Sequence, residues 1–328
     1  MLFRVICTER KRGMFEYIFK RFIYGILVLF IMTTFVFVVM RAVPGDVVTL
    51  QLANSGASEE QMAALKAELG LDKNVFGQLG DWIGNAVQGD LGTSLWSGQS
   101  VSEVIIDRIP ITLQLAIMSI ILAILIGIPI GVISAVKQNT FIDHFLRVVS
   151  VGGLSIPNFW LGLILLTGLS LLLNWIPPIG FQSFAENPLV NLQQMILPAI
   201  CLAITLSASI VRMTRSAVLE VLHSEFIRTV RSKGAKERIV IFKHALRNSL
   251  VSVITLIGLQ IGYLLGGTVV LESIFSLPGL GSLIFESVLS RDYPIVQSAV
   301  LIFGAMFLMV NLVVDIMYGW VDPRIRTR

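Results

Sequence analysis

Residues 109–136 read IPITLQLAIMSIILAILIGIPIGVISAV, a run that contains no Asp, Glu, Lys or Arg. An α-helix rises about 1.5 Å per residue, so roughly 20 apolar residues cross the hydrocarbon core of a bilayer. The run exceeds that length, and it lacks the polar face that a helix on the surface of a soluble protein carries. It therefore predicts a transmembrane helix.

Five more blocks also lack charged residues: 22–40, 148–174, 195–211, 248–271 and 293–314. All but 195–211 reach or nearly reach the length of a span, and that block must extend into its flanking residues. Only 14% of the residues are charged, against about a quarter in soluble domains. We therefore predict an all-α integral membrane protein with six transmembrane helices.

The basic residues are divided unevenly between the loops. With the N-terminus inside, 20 of the 25 Lys and Arg residues lie in cytoplasmic segments and five lie outside, as the positive-inside rule requires. Both termini are therefore predicted to be cytoplasmic, in a multi-pass protein of the inner (plasma) membrane. This topology and contact with membrane lipid account for the net charge of +4, so we predict no nucleic-acid partner.

The long polar segment between the first two blocks predicts a small external subdomain. The predicted division is a cytoplasmic leader (1–21), TM1 (22–41), the external subdomain (42–108), TM2 (109–136), TM3 (146–174), TM4 (195–213), a cytoplasmic loop (214–247), TM5 (248–271), an external loop (272–292), TM6 (293–318) and a cytoplasmic tail (319–328). Residues 109–318 are expected to form one helical core.

Two patterns predict local structure in the external subdomain. Ser58 begins a capping box (SEEQ), and an amphipathic pattern follows until Gly70, which predicts a short helix. Glycines between Trp82 and Trp96 favour turns in that stretch. The subdomain is either a packed cap or a docking surface for a partner.

Prolines among small residues predict kinks in two of the spans, and a proline-glycine turn predicts a short re-entrant or interfacial helix in the external loop. The kinks either allow close helix packing or shape a moving pore. The candidates for path or kink residues are Pro129, Pro157, Asn158, Pro278, Gly279 and Gly281.

The cytoplasmic loop contains a compact amphipathic helix pattern. From Ser224 it reads SEFIRTVRSKG, with a capping serine, Phe226 and Val230 on one face, and Gly234 as the stop. A second pattern at helical spacing, Ile239, Phe242 and Leu246, leads into TM5. The first helix either binds a groove on a cytoplasmic partner or lies on anionic lipid.

The strings EFIRTVRSKG (225–234) and HALRN (244–248) resemble the EAA loop of ABC importer permeases, in the variant of the dipeptide and oligopeptide permease family. Arg228-Thr229-Val230 stands where the general pattern has Glu-Ala-Ala, while the glycine at 234 keeps its place. Further motifs resemble the first (B-type) permease of that family: PGD (44–46), GDLGTS (89–94), SIPNFW (155–160), PGLG (278–281), RDYP (291–294) and DPRIR (322–326).

This resemblance implies a type I ABC importer permease fold and a translocation path for di- or oligopeptides or a related small solute. It also implies a second permease in a heterodimer, two ABC ATPase subunits and an external substrate-binding protein. ATP and Mg²⁺ are then bound by the ATPases, and this chain binds no cofactor. The residues implied in ATPase coupling are Glu225, Phe226, Arg228, Thr229, Arg231, Ser232, Lys233, Gly234 and Ala235.

Other functions find little support in the sequence. No GxxxxGK[ST] phosphate loop occurs, so energy for transport must come from another chain. A secondary carrier remains an alternative, although the six apolar blocks lack the ionisable groups that proton coupling uses. No paired acids, Ser/His grouping or Cys/His cluster predicts an enzyme or a metal site.

Overall fold

The described part of the chain is built from helices. The computed structural model describes residues 2–43, 48–49, 59–68, 70 and 72–321. In order, its elements are α1 (Leu2–Ala42), α2 (Glu59–Glu68), α3 (Val75–Val87), α4 (Val101–Val136), α5 (Phe141–Ser155), α6 (Asn158–Leu173), α7 (Pro188–Leu222), α8 (Glu225–Ser232), α9 (Glu237–Ile239), a π-helix (Val240–Leu246), α10 (Arg247–Ile274), α11 (Leu280–Ser290) and α12 (Tyr293–Val321). The predicted all-α class is confirmed.

The lengths and compositions of these helices agree with the predicted membrane spans. Five of them can cross a bilayer: Phe19–Ala42, Val101–Val136, Pro188–Leu222, Glu237–Leu264 and Tyr293–Val314. A sixth span results if α5 and α6, which pass the same test together, are counted as one broken span. The six-helix architecture predicted from the apolar blocks is therefore confirmed in this form.

The third span is interrupted at Pro157 rather than gently kinked. α5 and α6 meet at an angle of 101°. Proline disfavours helical backbone in the residue before it, and Ile156 is extended, with φ −88° and ψ 121°. Pro157 then serves as the N-cap of α6. By contrast, α4 runs through Pro129 without a break.

The fourth span extends well beyond its apolar block. α7 begins after Asn187, whose side chain accepts a hydrogen bond from the amide of Val190 at 3.3 Å. It continues to Leu222, so residues 214–222, which were predicted as loop, are helical. α7 is also the most buried of the long helices.

The expectation of turns throughout 82–96 was wrong for its first part, because Trp82 lies within α3. Asn74 caps this helix by accepting a hydrogen bond from the amide of Phe76 at 2.7 Å. The Trp82 ring packs 6.5 Å from the ring of Phe37, and such packing outweighs the low helix propensity of the glycines in α3. The predicted cap at Ser58 and the motifs at 44–46 and 322–326 lie outside the described residues.

The chain divides into two compact units. The first comprises Met1–Met14, Leu113–Leu277 and Val310–Arg328, and the second comprises Phe15–Thr112 and Pro278–Met309. One apolar core of the second unit is formed by α4, α11 and α12; its buried members are Val101, Ile105, Leu280, Leu283, Ile295 and Ala299.

Candidate functional site

The helix predicted from Ser224 onward is confirmed as α8. The hydroxyl of Ser224 accepts a hydrogen bond from the amide of Ile227 at 3.5 Å, and Glu225 lies in the first turn. Gly234 follows the C-cap with φ +79°, a left-handed conformation that glycine adopts at little cost. Short-range signals in the sequence therefore define both ends of this helix.

The buried side chain of α8 is Ile227, which is fully buried. The sequence pattern had placed Phe226 and Val230 on the apolar face, but Phe226 is 50% exposed. Its ring contacts the ring of His244 edge-on, with the centroids 5.8 Å apart. Adjacent residues therefore differ in their environment. The side chain of Ile227 is buried within the first unit, whereas half of the Phe226 side chain is exposed as an aromatic surface.

The other exposed side chains of α8 are charged or polar. Arg231 donates two hydrogen bonds to Glu237, at 2.6 and 3.2 Å, and this pair joins α8 to α9. The interaction raises the pKa of Arg231. Arg228 pairs with Glu225 at 3.3 Å, with both side chains at least 80% exposed. Of the other predicted coupling residues, Thr229, Ser232, Lys233 and Gly234 are exposed and Ala235 is half-buried.

The segment after α8 forms a π-helix, which the sequence did not predict. A 3.6-residue period had grouped Ile239, Phe242 and Leu246, yet Ile239 is 44% exposed and Phe242 is 57% exposed. A π-helix has a wider turn, with i→i+5 hydrogen bonds. Val240 and Ala245, five residues apart, are accordingly the buried pair.

The π-helix packs on the ends of α4 and α7. Val132 and Ala135 of α4, Val218 of α7 and Ala245 form one buried apolar cluster. α7 and α8 are separated only by His223 and Ser224. The candidate coupling segment is therefore attached to the transmembrane helices both through the chain and through this cluster.

Close packing between α4 and α7 extends from this cluster along a glycine seam. A methyl group added to Gly131 would lie 2.8 Å from the carbonyl oxygen of Val211 and 2.6 Å from Cβ of Thr214. One added to Gly127 would lie 2.7 Å from Cβ of Ile210. Glycines spaced four apart allow backbones to approach in this way, so the small residues around Pro129 serve helix packing.

One buried carboxylate joins three helices of the first unit. Asp143 of α5 is fully buried and accepts two hydrogen bonds from Arg215 of α7, at 2.8 and 2.9 Å. It also accepts from the hydroxyl of Ser134 of α4 at 2.6 Å and from the amide of Asn139 at 3.0 Å. No pattern in the sequence predicted this site. The only local signal is Thr140, which caps α5 three residues before Asp143.

The remaining predicted path residues are distributed between the two units. In the first unit, Asn158 accepts a hydrogen bond from Thr205 of α7, which is a helix-to-helix contact. In the second unit, Pro278 precedes Gly279, the N-cap of α11, and Gly281 is buried in the first turn. The amide of Leu280 donates to the hydroxyl of Thr112 at 2.9 Å. The predicted short helix in the loop is thus confirmed as α11.

Two distant motifs of the sequence meet in the second unit. The hydroxyl of Ser94 donates a 2.6 Å hydrogen bond to Asp292, and both residues are buried. Asp292 also accepts from the amide of Leu95 at 3.3 Å. The indole of Trp96 donates to the carbonyl of Ser290 at 2.7 Å. These bonds fix the 93–100 turn against the end of α11.

A cavity of about 230 Å³ lies in the first unit. Its lining includes Leu166, Pro177, Ile179, Gln194 and Phe275. The amide nitrogen of Gln194 donates to two backbone carbonyls of the surrounding loop, so the cavity presents a mainly apolar surface. In the part of the chain that the structure describes, no group of three His, Cys, Asp or Glu side chains has the arrangement of a metal site.

Comparisons with known proteins agree with this arrangement. Residues 127–327 match the family described as binding-protein-dependent transport system inner membrane component, and residues 14–116 match its N-terminal family. The oligopeptide transport system permease protein AppB of Bacillus subtilis is 44% identical over 317 residues, which is 95% of this chain and 99% of that one. The glutathione transport system permease protein GsiC of Escherichia coli K12 is 39% identical over 313 residues, again 95% and 99%.

Solved structures show the same fold at low sequence identity. A chain of the MetNI methionine ABC transporter is similar with a TM-score of 0.56 and 17% identity, covering 67% of this chain and 97% of that one. A chain of an amino acid ABC transporter has a TM-score of 0.53 and 15% identity, covering 66% and 94%. The helices of this chain therefore adopt the type I importer permease fold.

Proposed function

Because this chain belongs to the family of binding-protein-dependent transport system inner membrane components, it is a multi-pass permease subunit, and we propose that it pairs with a second, different permease around a peptide path. Two ABC ATPase subunits bind the pair from the cytoplasm, and an external binding protein delivers the cargo. ATP and Mg²⁺ are held by the ATPases, since the sequence contains no phosphate loop of its own.

The exposed surface of α8 is the observation that carries this proposal. Phe226 presents half of its surface, and the same short helix exposes the cation of Arg228. Exposed aromatic and Arg side chains are typical of the residues that dominate binding energy at interfaces. Ile227 is buried, and the Arg231–Glu237 pair joins α8 to α9. A force applied to α8 is therefore expected to reach α7 and the π-helix.

The distribution of basic residues supports the orientation. Nine Lys and Arg residues, Arg215 among them, lie between residues 212 and 247. Such a loop stays in the cytoplasm by the positive-inside rule, and with six spans both termini share that side. The ATPases therefore meet α8 in the compartment that contains ATP.

Peptides are the proposed cargo. The relatives AppB and GsiC are named for oligopeptide and glutathione transport, and both of these solutes contain peptide bonds. The six apolar blocks of the chain carry no ionised side chain, so contact with the cargo would be made by backbone and neutral polar groups. Contacts of this kind suit cargo with varied side chains.

A stand-alone secondary carrier is the competing function. Such a carrier would need neither a binding protein nor an ATPase. The family match covers both parts of the chain, 14–116 and 127–327, and its members work in binding-protein-dependent systems. This match favours the importer.

Replacement of Phe226 with aspartate tests ATPase docking. Tagged full-length permease is purified in mild detergent together with its co-expressed partners, and the ATPase subunits recovered per permease are measured along with ATP hydrolysis. We expect at least a tenfold loss of ATPase recovery for Phe226→Asp, because a carboxylate at the centre of an aromatic contact loses apolar burial and remains desolvated.

The matched control is Phe76→Asp, since Phe76 is 77% exposed and lies in α3, on the proposed external side. This variant should retain the wild-type amount of ATPase subunits. Wild-type protein that is recovered without an ATPase or a second permease, across several detergents, would refute the importer proposal.

A further inference from the structure

The attachment of α5 to the first unit depends on a charged residue. Of the residues of α5, only Asp143 is buried; the others are half-buried or exposed. The exposed side chains include large apolar ones, such as Phe141, Phe145 and Val148. The one fully buried side chain of α5 is therefore a carboxylate, which is unusual for a membrane helix. The helix also approaches α7 at Gly153, where an added methyl group would lie 3.4 Å from Ile204.

The partner of this carboxylate lies on the helix that continues toward α8. Arg215 of α7 reaches Asp143 with both Nε and Nη2, in the bidentate geometry that fixes direction as well as distance. Its side chain is only 20% exposed. Arg147, one turn farther along α5, adds a longer contact at 3.6 Å. α7 ends seven residues after Arg215, at Leu222, and only two residues separate it from the start of α8.

The other two donors fix the loop between α4 and α5. Ser134 lies near the end of α4, and Asn139 sits in the connecting turn with φ +62°. With the two bonds from Arg215, the carboxylate accepts four hydrogen bonds, which accounts for the acceptor sites of both oxygens. A fully satisfied buried charge of this kind holds one geometry and is costly to break.

We propose that Asp143 is a positioning residue that makes α5 move with α7, so that motion of the ATPase-bound α8 reaches the broken third span at Pro157. This inference rests on the proposed function, since it requires an ATPase that acts on α8. α5 leads directly to the 101° break, so displacement of α5 changes the position of that break. Without the ion pair, α7 moves while α5 stays behind, and ATP is hydrolysed without transport.

The test measures cargo transported per ATP hydrolysed, with the whole importer in proteoliposomes and an oligopeptide-loaded binding protein. The variants are Asp143→Asn, Arg215→Gln and the double variant. We expect each single variant to retain the ATPase subunits and at least half of the basal ATP hydrolysis, while transport per ATP falls at least tenfold. The double variant should be no worse than either single variant, because the pair acts as one unit.

A merely structural role would lower the yield of assembled complex and leave transport per ATP in the surviving complexes unchanged. A ratio within twofold of wild type for Asp143→Asn therefore overturns the inference. The proposed function fails separately: in that case the wild-type complex itself lacks ATPase subunits or transport.

A second measurement decides the matter if the variants do not assemble. Spin labels replace the exposed residues His144 of α5 and Glu220 of α7 in an otherwise wild-type complex, and a further label pair on the ATPase subunits reports their closure. We expect the distance from α5 to α7 to stay the same with and without ATP while the ATPases close. A change in this distance upon closure overturns the inference.

Discussion

Replacing Gly131 with alanine is expected to destabilise the permease by about 2 to 3 kcal/mol, the upper part of the usual range for overpacking a close contact. The new methyl group would lie 2.8 Å from the carbonyl oxygen of Val211 and 2.6 Å from Cβ of Thr214. The carbonyl belongs to the backbone of α7 and cannot rotate away. α4 and α7 must therefore separate, which also opens the cluster beneath the π-helix. The decrease in the free energy of unfolding is measured by SDS titration of the purified protein.

Gly168→Ala is the matched control for this change. Gly168 also lies in a membrane helix, α6, but a methyl group there would meet nothing within 4 Å in this chain. The same substitution should be neutral or stabilising by up to about 1 kcal/mol, because alanine is the better helix former. If Gly131→Ala and Gly168→Ala unfold at the same SDS midpoint, the seam between α4 and α7 is not tightly packed.

Asp292→Ala is expected to destabilise the second unit by about 3 kcal/mol. Hydrogen bonds to a charged group contribute roughly 1.5 to 3 kcal/mol, and the Ser94 hydroxyl that loses one here is buried. The hydroxyl of Ser94 and the amide of Leu95 both lose the Asp292 carboxylate as an acceptor. The 93–100 turn should then detach from α11, which is detected as faster proteolysis near Trp96 and as a lower thermal midpoint in detergent.

Two variants calibrate this result. Glu286→Ala removes an exposed carboxylate from α11 and should change stability by less than about 0.5 kcal/mol. Asp292→Asn keeps a carbonyl acceptor for Ser94 and should lose less than the alanine variant. If Asp292→Ala unfolds at the same temperature as Glu286→Ala, the bond between the two motifs does not stabilise the second unit.

Features that depend on neighbouring residues in the chain were predictable. The start of α8 at Ser224 and its end at Gly234 follow from capping and from a positive φ, which are interactions over a few residues. The spans followed from the length of the apolar blocks, because the bilayer imposes that length. Even the block at 195–211 extended into its flanking residues as expected, to give α7.

Features that depend on distant partners were missed or wrong. Asp143 pairs with Arg215, 72 residues away, and no local pattern identifies that partner. Trp82 was expected in a turn because of nearby glycines, but contact with Phe37 places it in a helix. The π-helix changes the helical period, so a pattern read at 3.6 residues per turn selected Phe242 instead of Val240 and Ala245.

The break between α5 and α6 has a consequence for where water can reach. An interrupted helix leaves backbone amides and carbonyls without partners in their own helix. Hydrocarbon cannot satisfy such groups, so irregular backbone at membrane depth occurs only beside protein or a water-filled cavity. The backbone on either side of the break at Ile156 and Pro157 must therefore lie beside protein or water rather than lipid tails. We expect small polar solutes to approach this point more readily than the acyl chains of lipid or detergent.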